Sequence, residues 1–418
     1  MIRTTLPAVA LGLLTAVTLG YGADWPQWRG PNRDDVSKET GLLQEWPEKG
    51  PKLLWTYRDA GAGFSGFSIV GDQLFTMGAI DKKEYVIALD ATTGKKLWSQ
   101  EIGELYTNAW GDGPRSTPTF DNGCVYALDG KGDLACLLVR DGSKKWTVSL
   151  PNDLKGKMGH GWGFCESVLI DGDHLICTPG GDEGTLAALD KNTGKEIWRS
   201  KDNKEGAASA SVIIAKVGDA KQYVQMTHQS LFGVDAKDGK VLWHFERSFP
   251  VAAIPTPIFK DHYVYATSGY GAGCSLISLT PESSGQFKAE EEYKNKEMSN
   301  HHGGVVLVGD HLYGFGDGKG WICQEFKTGK SVWSEKKLGK GCLTYADGHL
   351  YCYSEGDGTV ALVKASPDGW KESGRFKIPE ETKLPRKSGH IWTHPVVANG
   401  KLYLRDQDLI FCYDVKAP

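Results

Sequence analysis

Four histidines, His160, His301, His302 and His390, are the residues of this 418-residue chain best suited to bind a metal or move a proton near neutral pH. Their spacing argues against a shared metal. No His-x-His or His-Glu-x-x-His pair occurs, and His301 and His302, adjacent on one strand, should point to opposite faces. No metal site is expected. The acidic turns Asp129-Gly-Lys-Gly-Asp133 and Glu355-Gly-Asp-Gly358 lack the length and terminal Glu of an EF-hand loop and read as hairpin turns. Gly269-Tyr-Gly-Ala-Gly-Cys274 has the look of a phosphate loop but opens no helix. No Gly-x-Ser-x-Gly sequence suggests a serine hydrolase, and no catalytic residue is assigned. What remains is a set of cations and flat rings: Arg115, Lys340 and Arg386 with Trp110, Trp162 and Trp392, and one carboxylate, Glu166. Brought together, they can bind a planar anionic ligand, a sugar or a peptide.

What brings them together is a repeat. Ala88-Leu-Asp-Ala-Thr-Thr-Gly-Lys-Lys-Leu-Trp98 recurs as Ala188-Leu-Asp-Lys-Asn-Thr-Gly-Lys-Glu-Ile-Trp198 and Gly233-Val-Asp-Ala-Lys-Asp-Gly-Lys-Val-Leu-Trp243, with weaker copies ending at Trp146 and Trp333. Each reads as a strand, a turn whose glycine supplies positive φ, and a strand ending in Trp. A turn and a short alternating strand precede each copy, as in Asn122-Gly-Cys-Val-Tyr and Asn399-Gly-Lys-Leu-Tyr, and another apolar strand precedes that. There are eight such units of four strands, A to D, at roughly 49 residues each, near the length of a propeller blade. The expectation is an all-β, eight-bladed β-propeller with four-stranded antiparallel blades. The last unit lacks a D strand, while Pro51-Lys-Leu-Leu-Trp55 has a D strand's sequence with no blade before it. Residues 51–57 should therefore close the last blade and hide the ring's edges, with 24–50 as a wrapping segment. Residues 24–418 are expected to form a single domain.

Geometry then selects a face. The A–B turns are short, whereas the D–A connections near Ser99–Pro114, Thr147–Gly163, His244–Ala253 and Lys377–Gly389 are long. Long loops on a rigid scaffold carry binding groups, so the functional surface is expected on the D–A/B–C face, around the channel mouth. Aligning A strands on their turns puts Phe64, Arg115, Cys165, Ile254, His302, Lys340 and Trp392 in one ring. Ser65, Ser116, Glu166, Pro255, Gly303, Gly341 and Thr393 fall in the next, and Trp110, His160, Trp162, His301, Arg386 and His390 lie on nearby loops.

The blade-ending tryptophans resemble the tryptophan-docking motif of the quinoprotein alcohol dehydrogenase-like superfamily, and the opening Trp25-Pro-Gln-Trp-Arg-Gly-Pro-Asn-Arg33 is similar to the start of secreted propellers of this PQQ-like type. The resemblance covers essentially the whole chain after residue 23. It implies one of two roles. Members such as the outer-membrane-assembly propeller bind partner proteins, which implies a binding or scaffold module. Dehydrogenase members hold pyrroloquinoline quinone with calcium, which would place Arg115, Lys340 and Arg386 on its carboxylates, Trp162 or Trp392 on its ring, and Glu166 as calcium ligand or base. The vicinal cysteine pair of those dehydrogenases is absent from this sequence. A carbohydrate-binding or carbohydrate-cleaving propeller is a third reading, resting on the aromatics and histidines.

Composition fits these readings. A net charge of −4 gives no global attraction to nucleic acid or an anionic membrane, and 53 glycines with 11% aromatics suit a turn-rich β protein. Met1–Ala23 has the layout of a secretory signal peptide, Arg3 then an apolar run from Leu6 to Leu19 then small residues, cleaved near Gly22 or Ala23. A periplasmic or secreted monomer with no membrane span is expected. Export permits disulfides among the nine cysteines: Cys165 with Cys177 and Cys342 with Cys352 can face one another across hairpins, or the thiols can be free and buried.

Overall fold

The computed structural model describes residues 24–418; the leader expected at 1–23 lies outside the described residues. Eight four-stranded antiparallel sheets form a ring. Blades 1 to 7 run from Ser68 to Glu104, Thr119 to Ser149, Leu169 to Arg199, Ile213 to Glu246, Ile258 to Asn295, Val305 to Glu335 and Gly341 to Lys377. Blade 8 takes its A to C strands from Val396–Ala398, Lys401–Asp406 and Leu409–Asp414. Its D strand is Lys52–Tyr57, paired from Lys52 opposite Asp414 to Tyr57 opposite Ile410 with a bulge between Leu53 and Trp55. No helix among the described residues is long and apolar enough to cross a membrane.

At four junctions the tryptophan of the motif bonds its blade to the next. The Trp98 indole donates to Val139 O of blade 2 at 2.8 Å, and Trp146 donates to Lys191 O of blade 3 at 3.0 Å. Trp55 and Trp333 make the same bond into blades 1 and 7. The turn glycine has a second role beside its φ, which is +71° at Gly94 and +74° at Gly142. A Cβ on Gly142 would stand 2.6 Å from the Trp98 ring, and one on Gly94 2.6 Å from the Trp55 ring. The glycine therefore makes both the turn and the flat seat for the preceding blade's indole. The cores lie between blades, where Phe75 and Val86 of blade 1 meet Val125 and Leu137 of blade 2.

The seam between blades 8 and 1 is held by a fully buried cation. Arg405 donates to Gln407 O of its own blade and, across the seam, to Ser65 O, Thr76 Oγ1 and Met77 O at 2.6–3.0 Å.

Residues 24–37 do not skirt the ring but run across its channel. Trp25 pairs with Ile69 of blade 1, and Pro26 O accepts from Phe120 N of blade 2. Arg33 donates to Ser167 O and Val168 O, Arg29 to Val305 O, and Val36 bridges Tyr345 of blade 7. The chain then packs Trp46 against Tyr351 and Phe376 before entering blade 8.

All nine cysteines are free thiols. The register explains why the two suggested pairs do not form. Leu343 lies opposite Cys352 and Cys342 opposite Tyr353, so Cys342 and Cys352 sit on opposite faces of blade 7. Cys177 is in an interblade core, whereas Cys165 is at the channel wall.

Candidate functional site

The A strands converge on the axis, and the residues just before them form the wall of a funnel opening on the D–A/B–C face. Phe64, Arg115, Cys165, Ile254, His302 and Trp392 line it, with Ser209 in the equivalent place at blade 4. Trp110 and Trp162 come from D–A connections, and Tyr270 from the B–C connection of blade 5. The floor is Trp28 of the channel-crossing segment, whose Nε1 donates to Thr256 Oγ1 at 2.9 Å, beside His394. The channel is thus blind, with a cavity of about 150 Å³ above the floor.

The long connections brace one another. Lys387 pairs with Asp112 at 2.6 Å, joining the 7–8 and 1–2 connections. The Tyr106 hydroxyl and Asn108 Nδ2 donate to Gly161 O at 2.6 and 2.8 Å, joining the 1–2 and 2–3 connections.

The funnel's ionisable groups cluster on blades 6 and 7. Lys340 Nζ lies 2.9 Å from Asp317 Oδ1 and 2.8 Å from His301 Nδ1. Trp392 Nε1 donates to Glu355 Oε2 at 2.9 Å, and that oxygen stands 3.1 Å from His302 Nε2. Burial and the Lys340 charge hold the His301 imidazole neutral, pushing its pKa down to about 4; burial holds His302 well below its usual value and pushes the Glu355 carboxyl up. At the floor, burial alone would lower His394, but Cys342 and the Asp35 carboxylate beside it push it up to about 10. Arg29, 3.2 Å from Asp35, completes that buried group.

The residues singled out from sequence divide in two. Trp110, Arg115, Trp162, His302 and Trp392 face the funnel. His390 is exposed at the rim, 6.1 Å from Trp392, ring to ring. His160 packs tilted against Trp162 at 4.9 Å, ring to ring, and meets Ser209 Oγ at 3.2 Å. Lys340 is bound to Asp317, and Arg386 is turned away onto Asp406 at 2.6 Å. Glu166 is buried between blades, accepting from Thr178 N and Oγ1, with burial pushing its pKa up to about 7. Trp28, Tyr270, Asp317 and Glu355 were not singled out. Trp28 stood within the opening motif Trp25-Pro-Gln-Trp28, and Glu355 in a turn whose acidity suits a hairpin equally well.

Pyrroloquinoline quinone is a planar tricarboxylate, and these residues do not fit it. Arg115 spends Nη1 and Nη2 on Gly113 O and Gly111 O, at 2.7 and 2.8 Å, and stacks between Phe64 and Tyr106. Lys340 and Arg386 are paired with carboxylates, and Glu166 is committed to Thr178. Among the described residues no three His, Cys, Asp or Glu side chains converge as a metal site.

Comparison with known proteins places the fold. The outer membrane protein assembly factor BamB of Nitrosomonas eutropha is 26% identical over 175 residues, 41% of this chain and 36% of that protein. The dehydrogenase subunit of the quinone alcohol dehydrogenase of Gluconobacter oxydans is 29% identical over 220 residues, 47% of this chain and 27% of that one. The chain thus matches well under two thirds of either relative. The crystal structure of BamB from Moraxella catarrhalis superposes with a TM-score of 0.59 at 15% identity, covering 87% of this chain and 99% of that one. Quinohemoprotein alcohol dehydrogenase from Comamonas testosteroni superposes at 0.66 and 10% identity, covering 94% and 81%. Those identities carry the fold alone. Residues 82–335, more than half of the chain, match the family model described as outer membrane protein assembly factor BamB, and the chain belongs to that family.

Proposed function

We propose that the protein is an exported binding module whose partner, a protein or a carbohydrate, docks on the D–A/B–C face and reaches into the blind funnel. The observation that carries this reading is the channel-crossing segment. By placing Trp28 under a wall of aromatic rings it turns the propeller's axial channel into a closed-ended cavity. A rigid concave site with few free charges and many flat rings suits recognition. The assembly-factor relatives support a binding role. Quinone-dependent oxidation is the competing reading, supported by the dehydrogenase relatives.

Calorimetric titration with pyrroloquinoline quinone, with and without calcium, separates the two. The binding-module reading expects no stoichiometric, calcium-dependent complex. Such a complex, weakened in Arg115→Ala, overturns it in favour of the dehydrogenase.

A further inference from the structure

The funnel has an unusual polar feature. His302 is only 8% exposed and lines the cavity, yet neither ring nitrogen has a hydrogen-bond partner. Its Nε2 is 3.1 Å from Glu355 Oε2 without the geometry of a hydrogen bond. A buried imidazole left unpaired costs free energy that a ligand hydrogen bond would recover. Trp392 lies alongside, its ring centroid 5.6 Å from His302 and 5.0 Å from Phe64. Trp110 and Tyr270, 45% and 55% exposed, also line the cavity.

Resting on the binding-module reading, we infer that the funnel holds an uncharged, polyhydroxylated ring, that is, a sugar unit of a neutral glycan, stacked on its aromatic faces and hydrogen-bonded to His302. A sugar ring offers apolar C–H faces to indoles and hydroxyls at its edge. Each hydroxyl both donates and accepts, so it satisfies either imidazole tautomer. A charged ligand has less to gain. Arg115 already bonds two carbonyls, Lys340 faces Asp317 and His301, and His394 is held between Asp35 and His302 O. An anion entering here exchanges its hydration for cations already satisfied.

The test is calorimetry of the mature protein with neutral cello-, xylo-, malto- and chito-oligosaccharides. A second arm uses tripeptides containing Trp or Phe. At least one glycan series should bind, and Trp110→Ala, exposed enough to leave folding intact, should weaken it about tenfold, the effect of losing one stacked ring. His302→Gln, which keeps a donor and an acceptor, should retain more affinity than His302→Ala. Absence of binding across the four glycan series, or binding indifferent to Trp110→Ala, overturns the inference. Trp110-dependent peptide binding without glycan binding overturns it while leaving the binding-module reading standing. Calcium-dependent quinone binding is the separate result that removes the reading beneath it.

Discussion

Trp28 and His394 meet at the bottom of the funnel with ring centroids 4.6 Å apart and planes inclined at 57°. One ring belongs to the channel-crossing segment and the other follows the 7–8 connection, so the contact joins the floor to the wall. Trp28→Ala should remove that contact and the bond to Thr256 and open the funnel downward. For a half-buried indole the expected cost is about 2 kcal/mol, read as a lower urea midpoint with unchanged slope. Ligand affinity should fall further than stability does.

The glycine seat of the docking motif makes a sharper prediction. Gly142 has φ of +74° and no room for a Cβ beneath the Trp98 ring. Gly142→Ala should cost at least about 1–2 kcal/mol from backbone conformation alone, plus displacement of the indole. Gly123, also at positive φ, has nothing within 4 Å of a Cβ and should show only the backbone cost. Thermal melts of the two variants measure the difference directly.

Arg405 is the clasp of the ring. Arg405→Met keeps much of the volume but leaves Ser65 O and Met77 O facing an apolar side chain. A loss of about 3 kcal/mol or more is expected, since buried groups lose charge-assisted bonds together. Hydrogen exchange should rise first in blades 8 and 1, where the seam opens.

Acid should act through His301. Its folded pKa of about 4 lies below the unfolded value near 6.5. Between those values the unfolded chain takes the proton and the folded one does not, so stability falls as pH drops from 6.5 and levels off below 4. Lys340 is one cause of the depression. Lys340→Met should therefore raise the His301 pKa, followed by the imidazole C–H resonance through an NMR titration.

The fold was legible because the repeat states it several times over: a Thr-Gly-Lys turn and a terminal Trp admit one kind of packing, and an orphan D strand at Lys52–Tyr57 can close only the blade lacking one. Aligning A strands also located Phe64, Arg115, Cys165, Ile254, His302 and Trp392, because a symmetric scaffold carries equivalent positions to equivalent places. Where symmetry ends, legibility ends. Trp28 lies outside any blade, and its place depends on Arg29 and Arg33 finding strand carbonyls across the channel, which no periodicity encodes. Glu166 and Arg386 lie off the funnel wall for another reason: their side chains turn to Thr178 and Asp406.

The working surface proposed for this protein is the funnel mouth, not the A–B turn face. A photoreactive residue placed at Trp110 or Tyr270, and at Asp219 or Gly348 in A–B turns, tests this in the producing cell. One discrete crosslinked product is expected from the first two positions, lost when Trp28→Ala is added, and none from the turns. A product formed from Asp219 or Gly348 but not from the funnel mouth would contradict it.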